Sequence, residues 1–401
     1  MAAEQPAAEQ PAAALPIPPK GELAPNMAAW VRPYTPGPLS EAQVTQFFTE
    51  GFTVSRGLLS RAELDPARAA VGGLVDAAAR RLHAAGKISD LAEGEPFEKR
   101  LIAIERQSPN ASVLLHKQGV LPPGIAGLWA GPTLLACARQ LVGGDIAGHP
   151  VWNLRCKTPN EGQATVPWHQ DTSYLDPVAL GTLQATAWVP LVDATRENGC
   201  MEVIRYGHRA GREVAHECCV GGTWYVSIKE GALAGIGADD PADVVLCDVA
   251  AGDVLWLNNV VPHRSLNNAS DHVRWSLDLR YQRPDEPAGF YDIKAPIRLA
   301  KADDPAFAPD WAEWAGVERT AKQMAALADA APGIMPELAA AAAAEAVPGA
   351  DDPFDTVIAG PWMKRWPRSH HNRHTERHDA LEKVSAGGKV AGWHAVGTAF
   401  G

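Results

Sequence analysis

Between residues 145 and 285 the chain breaks into short β-prone segments, which limits the folds open to it more than any other feature. Turn-forming pairs such as Asn198-Gly199 and Ala251-Gly252 separate these segments. The 36 Gly and 33 Pro residues exceed what an all-helical protein needs, and short strands with frequent turns are typical of sandwiches and jelly rolls. The segments are 151–157, 185–191, 200–204, 243–247, 253–257 and 273–281.

Two capping boxes mark helices ahead of this region. Ser40 with Gln43, and Ser60 with Glu63, place a hydroxyl and a reciprocal acceptor three residues apart, as at helix N-termini. The second box predicts a helix that runs towards Leu82. Together with the strand pattern, these signals predict a mainly β protein with flanking helices, built on a sandwich or a jelly roll.

Composition divides the chain into three parts. Residues 1–25 are rich in Ala, Pro and Gln, which predicts a flexible tail. Residues 26–300 form one predicted domain that contains the β core, with a glycine-rich insert at 211–242 over one end of it. Residues 301–401 are expected to form a helical or irregular carboxy-terminal extension, with surface helices in the Ala-rich stretch 320–347.

The net charge limits the classes of partner. Lys and Arg total 36 against 47 Asp and Glu, which gives a net charge of −11. This sign disfavours a nucleic-acid or anionic-membrane partner, because phosphate binding needs a basic surface. No apolar run approaches the roughly 20 residues that span a bilayer, so no membrane span is expected.

Cysteine spacing and the amino-terminal sequence indicate the cellular compartment in which the protein is expected. None of the six cysteines forms a CxxC pair, and their density is too low for a disulfide scaffold. We therefore expect mostly buried thiols in a reducing compartment. The first Arg is Arg32, and the preceding residues lack the basic region of a secretory signal, so the expected location is cytoplasmic.

The segment VPWHQD at 166–171 carries the strongest chemical signal. Residues two apart on an extended chain project to the same side, so His169 and Asp171 can present an imidazole and a carboxylate to one point. His263 follows the β-prone segment 253–257 and can supply a second imidazole. Two histidines and one carboxylate on one face suit a non-haem Fe(II) ion, because they leave adjacent coordination positions open.

Arg274 and Ser265 extend this constellation. Arg274 lies in the next β-prone segment, where a guanidinium fork can hold the distal carboxylate of a bidentate co-substrate. Ser265 lies two residues past His263 and adds a hydroxyl donor on the same side. Taken singly, the His-Asp pair could be structural and Arg274 could form a cross-strand ion pair. Their joint spacing favours a functional site.

These motifs together resemble the phytanoyl-CoA dioxygenase family. The resemblance covers roughly residues 40 to 285. It is carried by PWHQD at 167–171, TAWVPLVDATRENGCMEVI at 186–204, GDVLWLNNVVPHRS at 252–265 and Arg274 in RWSLDLRYQ. It implies a double-stranded β-helix core of the jelly-roll or cupin-like type. It also implies Fe(II) held by His169, Asp171 and His263, with 2-oxoglutarate and O2 as co-substrates.

The resemblance further implies roles and a reaction. Arg274 and Ser265 would hold the far carboxylate of 2-oxoglutarate, while Trp188 and Asn153 match positions that contact this co-substrate. The implied reaction hydroxylates an unactivated C–H bond of a small or lipid-like organic substrate and releases succinate and CO2. Related halogenases carry a small residue that is not a ligand at the position of Asp171, so this carboxylate favours hydroxylation over chlorination.

Two rival functions stay open. A non-catalytic or differently metallated jelly-roll protein could bind a small ligand, and it would not need Arg274. A 2-oxoglutarate oxygenase could instead act on a protein or a nucleic acid, although the net charge disfavours the latter.

Further residues outside these motifs invite a functional interpretation. Three aromatic residues are candidate substrate contacts or packing residues: Tyr174, Trp224 and Tyr225. His370, His374 and His378 recur every four residues, so on a helix they would form one face. That face could bind a second metal or belong to a solvated basic segment.

Overall fold

The helices lie mainly before and after a β-rich centre. A computed structural model of the chain describes residues 16–116, 121–162, 165–292, 294–316 and 354–386. The α-helices in these ranges are α1 (Pro25–Ala28), α2 (Glu41–Glu50), α3 (Arg61–Ala84), α4 (Arg100–Gln107), α5 (Ala111–His116), α6 (Pro123–Trp129), α7 (Pro132–Val142), α8 (Trp311–Gly316) and α9 (Arg373–Ala386). Short 3-10 helices span Asp171–Tyr174, Pro177–Ala179, Val220–Gly222, Ala232–Ile236, Pro241–Asp243 and Pro361–Lys364.

Twelve strands in the described residues form two main antiparallel sheets and one hairpin. The strands are β1 (Phe52–Ser55), β2 (Ile146–Gly148), β3 (Asn153–Lys157), β4 (Ala185–Pro190), β5 (Met201–Ile204), β6 (His216–Cys218), β7 (Val226–Ile228), β8 (Val244–Cys247), β9 (Val254–Asn258), β10 (His263–Ser265), β11 (Arg274–Gln282) and β12 (Ile297–Ala300). The large sheet has the order β1-β9-β4-β11-β2-β12, with β3 also paired to β11, and the small sheet has the order β10-β5-β8. The hairpin joins β6 and β7. The predicted jelly-roll core is confirmed.

Alternation along the strands divides the large sheet into two faces. On β9, Val254 and Trp256 pack into the core shared with the helices, while Leu255 and Leu257 pack against the small sheet. Strand β11 alternates in the same way: its odd-numbered residues, such as Leu277, face the helices. Its even-numbered residues therefore face the space between the sheets, where the candidate site lies.

Both predicted capping boxes are present. The Ser40 hydroxyl accepts from the Gln43 N–H at the start of α2, and the Gln43 side chain accepts from the Ser40 N–H. At the start of α3 the Glu63 carboxylate accepts from the Ser60 N–H at 2.9 Å. Both boxes satisfy backbone donors that the first helical turn leaves without partners.

The structure describes part of the predicted tail and the whole glycine-rich insert, but not the Ala-rich stretch. Within the stretch expected to form a tail, Ile17 packs against an apolar cluster of the insert, and Lys20 pairs with Asp240. The Ala-rich stretch 320–347 lies outside the described residues. The insert at 211–242 contains the β6–β7 hairpin and 3-10 turns.

Helix α6 approaches α3 closely at Gly124. A Cβ atom at Gly124 would clash with the backbone carbonyl of Pro66 in α3, whereas one at Gly127 would meet no atom within 4 Å. Gly124→Ala is therefore expected to lower the free energy of unfolding by about 1–3 kcal/mol, because backbone cannot yield to the added methyl. Gly127→Ala on the same helix should raise it by about 0.5–1 kcal/mol. Calorimetric unfolding of both variants checks this, and equal effects would contradict the close approach.

No single helix among the described residues is long and apolar enough to cross a bilayer; helices α6 and α7 satisfy that criterion only as a pair bent by 43°.

Candidate metal centre

Two backbone hydrogen bonds bring the predicted histidines together. The extended segment before the Asp171–Tyr174 turn runs antiparallel beside β10. His169 and His263 are direct partners, and each N–H donates to the carbonyl of the other at 3.0 Å. Direct partners project to the same side of a sheet. Their ring centroids consequently lie 4.2 Å apart.

Asp171 completes a buried three-residue cluster. Its Oδ1 lies 3.5 Å from Nε2 of His169 and 3.7 Å from Nε2 of His263. One candidate ligand atom from each residue lies within 4.8 Å of the other two. The three residues are 3%, 7% and 4% exposed in chain order, so water is largely excluded. The structure thus places the three sequence-predicted ligands around one point.

Hydrogen bonds orient both imidazoles towards that point. Nδ1 of His169 lies 2.9 Å from the Pro167 carbonyl, and Nδ1 of His263 lies 3.0 Å from the Val261 carbonyl. A carbonyl can only accept, so each Nδ1 carries the proton and each Nε2 keeps a free lone pair. Burial, together with the neighbouring His169, lowers the pKa of His263 to about 4, which favours the neutral form that binds metals.

Arg280 and Thr186 hold the third residue of the cluster. The Arg280 guanidinium donates to both carboxylate oxygens of Asp171 at 3.3 Å, and the Thr186 hydroxyl lies 3.4 Å from Oδ2. Burial alone would raise the pKa of Asp171. The charge of Arg280 nevertheless holds this pKa well below its usual range. Asp171 is therefore an ionised carboxylate at neutral pH.

The cluster opens into a cavity that also contains Arg274, Ser265 and Trp188, which we call the arginine cavity. The Arg274 guanidinium stacks 5.1 Å from the centre of the Trp188 ring, and its Nε is buried without a partner. Burial lowers the pKa of Arg274 to about 10, so it is still charged at neutral pH. The Ser265 hydroxyl accepts from the Val166 N–H at 3.0 Å and keeps its own proton to donate.

A second cavity shares His169 and Asp171 with the first but is lined by neither His263 nor Arg274. Its walls include four aromatic residues: Tyr174, Trp224, Tyr225 and Phe290. We call it the aromatic cavity. Asn153 lines this cavity and not the arginine cavity, and its amide nitrogen lies 3.4 Å from the Asp278 carboxylate. The expectation that Asn153 contacts the same co-substrate as Arg274 stays a prediction.

Several charged residues in these cavities escaped the sequence analysis. Strand β3 directs Arg155 and Lys157 inward, and β11 directs Asp278 and Arg280 inward. Each lies an even number of residues from Asn153 or Arg274, so extending the strand alternation from those two positions would have found them. Burial and the nearby Arg274 and Arg155 charges lower the pKa of Lys157 well below its usual range.

The carboxy-terminal extension closes over the turn that begins at Asp171. Residues 361–369, which we call the clasp, place the Arg365 guanidinium 2.6 Å from the Thr172 carbonyl and 2.7 Å from the Leu175 carbonyl. Arg365 also pairs with the buried Glu213 carboxylate. The Trp366 indole donates to the Ser173 carbonyl at 2.8 Å. Nothing in the sequence pattern links this distant segment to the HxD motif.

The clasp also supports the walls of the aromatic cavity. The Trp362 indole donates to the Trp224 carbonyl at 3.1 Å, and its ring packs 5.9 Å from the ring of Tyr174. Tyr174 in turn contacts the His169 ring edge-on at 5.6 Å. Tyr174, Trp224 and Tyr225 thus line the cavity and also pack in one apolar cluster with the clasp. These aromatic residues therefore do pack against one another, and their contact with a substrate stays a prediction.

The histidine-rich tail does not form the predicted face. Helix α9 begins at Arg373, so His370 lies before it. Nδ1 of the buried His374 lies 3.1 Å from the Ile358 carbonyl, and Nδ1 of His378 lies 2.8 Å from the Arg368 guanidinium. Within the described part of the chain, the group of His, Cys, Asp and Glu that could hold a metal is the cluster around Asp171.

The cysteines differ in part from the expectation of free thiols. Cys137, Cys156, Cys200 and Cys247 are free and buried, but a disulfide joins the neighbours Cys218 and Cys219. This disulfide lies in the apolar cluster beside the clasp. A disulfide between adjacent cysteines has no spacing motif from which the sequence could have predicted it.

Among curated proteins, none matches this chain. Similar solved structures include the non-heme monooxygenase ThoJ in its apo form, with 22% identity over 66% of this chain and 86% of that one and a TM-score of 0.45. A second is the alpha ketoglutarate dependent carbocyclase SnoK from nogalamycin biosynthesis, with 22% identity over 63% of this chain and 88% of that one and a TM-score of 0.41. A third is EvdO2 from Micromonospora carbonacea var. aurantiaca complexed with 2-oxoglutarate, with 20% identity over 70% of this chain and 98% of that one and a TM-score of 0.41.

A family model gives the assignment. The model described as phytanoyl-CoA dioxygenase matches residues 47–276, more than half of the chain. The matched range contains the whole His169, Asp171 and His263 cluster as well as Arg274. The resemblance inferred from the motifs is thereby confirmed, and the chain belongs to the phytanoyl-CoA dioxygenase family.

Proposed function

We propose that this protein is a non-haem Fe(II)- and 2-oxoglutarate-dependent dioxygenase. In our proposal it hydroxylates an unactivated C–H bond of a small or lipid-like organic substrate, consumes O2 and releases succinate and CO2. The observation that carries the proposal is the buried His169, Asp171 and His263 cluster, which opens into a cavity that contains Arg274. Family membership supports the oxygenase class.

The donor set fits Fe(II). His169 and His263 would bind through Nε2 and Asp171 through a carboxylate oxygen, because these atoms are free, buried and directed to one point. When bound, the metal with 2-oxoglutarate and O2 supplies the oxidising power that breaks the substrate C–H bond. Arg280 keeps Asp171 ionised and oriented, as outer-shell partners do at metal sites. The Asp171 carboxylate also supports hydroxylation over chlorination.

The arginine cavity fits a dicarboxylate. Arg274 would bind the distal carboxylate of 2-oxoglutarate, since its buried Nε is otherwise without a partner, and such a donor is costly to leave unpaired. The Ser265 hydroxyl would donate to the same carboxylate. Trp188 would fix the guanidinium from its stacked face. These residues orient the co-substrate and exclude water from it.

An anaerobic titration tests this proposal. Addition of Fe(II) and then 2-oxoglutarate to the apoprotein should give a metal-to-ligand charge-transfer band that saturates at about one equivalent. Release of succinate in air, above a control without iron, should accompany it. A folded protein that shows no band would contradict the proposal and favour a jelly-roll protein that binds a ligand or another metal.

The functional unit extends beyond the β core in our proposal. The sequence divides the chain at residue 300, but the clasp contacts the turn at Asp171 directly. We therefore propose that residues 354–386 work as part of the dioxygenase unit. We also propose a cytoplasmic location; the four free thiols are typical of reducing compartments, whereas the Cys218–Cys219 disulfide is not.

A further inference from the structure

Arg155 occupies the junction of the two cavities. It lines both of them, next to His169, Asp171 and Arg280. Strand alternation puts it there, because its neighbours Leu154 and Cys156 pack on the opposite face of the sheet, in the core shared with the helices. A substrate that occupies the aromatic cavity would therefore share it with this guanidinium.

The hydrogen bonds of Arg155 leave part of its side chain open to the cavity. Its Nε donates to the Asp278 carboxylate at 2.8 Å, and the Tyr225 hydroxyl also lies beside it. The side chain is 20% exposed, compared with 7% for Asp278. A guanidinium has five N–H donors, which suits it to bind a planar anion with two of them at once.

The charges around the aromatic cavity are unbalanced in favour of the cations. Two arginines, Arg155 and Arg280, line it, and its only carboxylate among the described lining residues is Asp171, a proposed metal ligand. Asp278 is shared, at 2.8 Å from Arg155 and 3.9 Å from Arg280. Fe(II), Asp171, dianionic 2-oxoglutarate and Arg274 together would be neutral. Arg155, Arg280 and Asp278 then add one positive charge, while Glu161, the other carboxylate on the wall of the arginine cavity, is half-buried and partly screened by solvent.

Neighbouring histidines do not alter this balance. Burial lowers the pKa values of His116 and His149 in the aromatic cavity to about 4, so both are neutral at pH 7. A buried charge without a partner is costly. A ligand with one negative charge would therefore bind here better than a neutral molecule of the same shape.

The walls indicate the rest of the ligand. The rings of Trp224 and Tyr225 lie 4.8 Å apart, and the His116 ring stacks on Trp224 at 5.8 Å. Aromatic faces favour contact with flat apolar groups. The open space between these walls is small, which limits the ligand to a small organic molecule.

We infer that the substrate is a small aromatic carboxylic acid, whose carboxylate binds Arg155 and whose ring lies against Trp224 and Tyr225. The inference rests on the proposed function of the same site and narrows its substrate class. It disfavours a coenzyme A thioester, because the phosphates of coenzyme A lie at the far end of a long arm from the acyl group. A phosphate monoester carries about two charges at neutral pH and would overcompensate the single excess cation.

Paired ligands test the inference on the protein loaded anaerobically with Fe(II) and 2-oxoglutarate. The probes are a set of aromatic carboxylic acids, each with its primary amide, which keeps the shape and removes the charge. Binding is measured by calorimetry and by the change in the charge-transfer band. We expect at least one acid to bind about 10- to 100-fold more tightly than its amide.

Variants assign that preference to Arg155. Arg155→Gln should remove the difference between acid and amide, and Arg155→Lys should restore part of it. Arg196→Gln, which changes an arginine that is 66% exposed, should leave the difference unchanged. The charge-transfer band with 2-oxoglutarate should persist in all three variants.

The band also separates the two possible failures. Its absence in the wild-type protein would overturn the proposed function. If the band forms but no acid binds, or if acids and amides bind equally, the inferred substrate class is wrong while the proposed function stands. A preference for acids that survives in Arg155→Gln would also overturn the role of Arg155.

Discussion

Replacement of Asp171 by alanine is expected to weaken Fe(II) binding by at least about 100-fold and to abolish succinate release. Outer-shell substitutions at metal sites already cost about 10- to 100-fold in affinity, and this variant removes a proposed ligand itself. The lost carboxylate also leaves Arg280, whose side chain is 8% exposed, with Asp278 as its remaining carboxylate contact at 3.9 Å. Anaerobic titration with Fe(II), followed by calorimetry, measures the change in affinity.

Two further variants separate ligand loss from misfolding. Asp171→Asn keeps the volume and an oxygen that can accept from Arg280, so its circular dichroism should match the wild type while its iron affinity falls. Asp303→Ala changes an exposed aspartate and should bind iron normally. If Asp171→Asn binds Fe(II) as tightly as the wild type, Asp171 is not a ligand.

Replacement of Arg274 by glutamine is expected to raise the KM for 2-oxoglutarate by about 10- to 150-fold. A hydrogen-bonded pair with a charged partner contributes about 1.5–3 kcal/mol, and the neutral amide cannot replace the charge. Fe(II) binding alone should be unchanged, because Arg274 has no contact with the three ligands among its assigned hydrogen bonds. Succinate release at increasing 2-oxoglutarate concentration measures the effect.

Arg264, on the preceding strand of the chain, provides a matched control. Its guanidinium pairs with Glu202 at 2.7 Å on the other side of β10 and is 39% exposed. Arg264→Gln should leave the KM for 2-oxoglutarate unchanged, and Arg274→Lys should recover part of the lost affinity. An unchanged KM in Arg274→Gln would place the co-substrate elsewhere in the molecule.

Local patterns predicted the β core and the metal cluster because short-range rules govern both. Alternation places His169 and Asp171 on one side of an extended segment, and the capping boxes at Ser40 and Ser60 fix the starts of two helices. The same rule, applied further along β3 and β11, would have shown Arg155 and Arg280 facing inward.

Contacts between distant segments were not predictable in this way. The pairing of Arg365 with Glu213 and the Thr172 carbonyl depends on the path of the whole chain, which no local period encodes. The tail histidines show the same limit. Their spacing fits a helix face, but α9 starts after His370, and residues of other segments contact Nδ1 of His374 and of His378.

The clasp lies outside the part of the chain that matches the family model, whereas the proposed metal ligands lie inside it. All three proposed metal ligands lie in the stretch that matches the family, 47–276, whereas Arg365, Trp366 and Trp362 lie beyond it and support the turn after Asp171 and the walls at Trp224. Substitutions in the clasp can therefore reshape the space offered to a substrate without exchanging a single ligand. Relatives that keep the β core but carry other tails would retain the reaction while diverging in the molecules they accept.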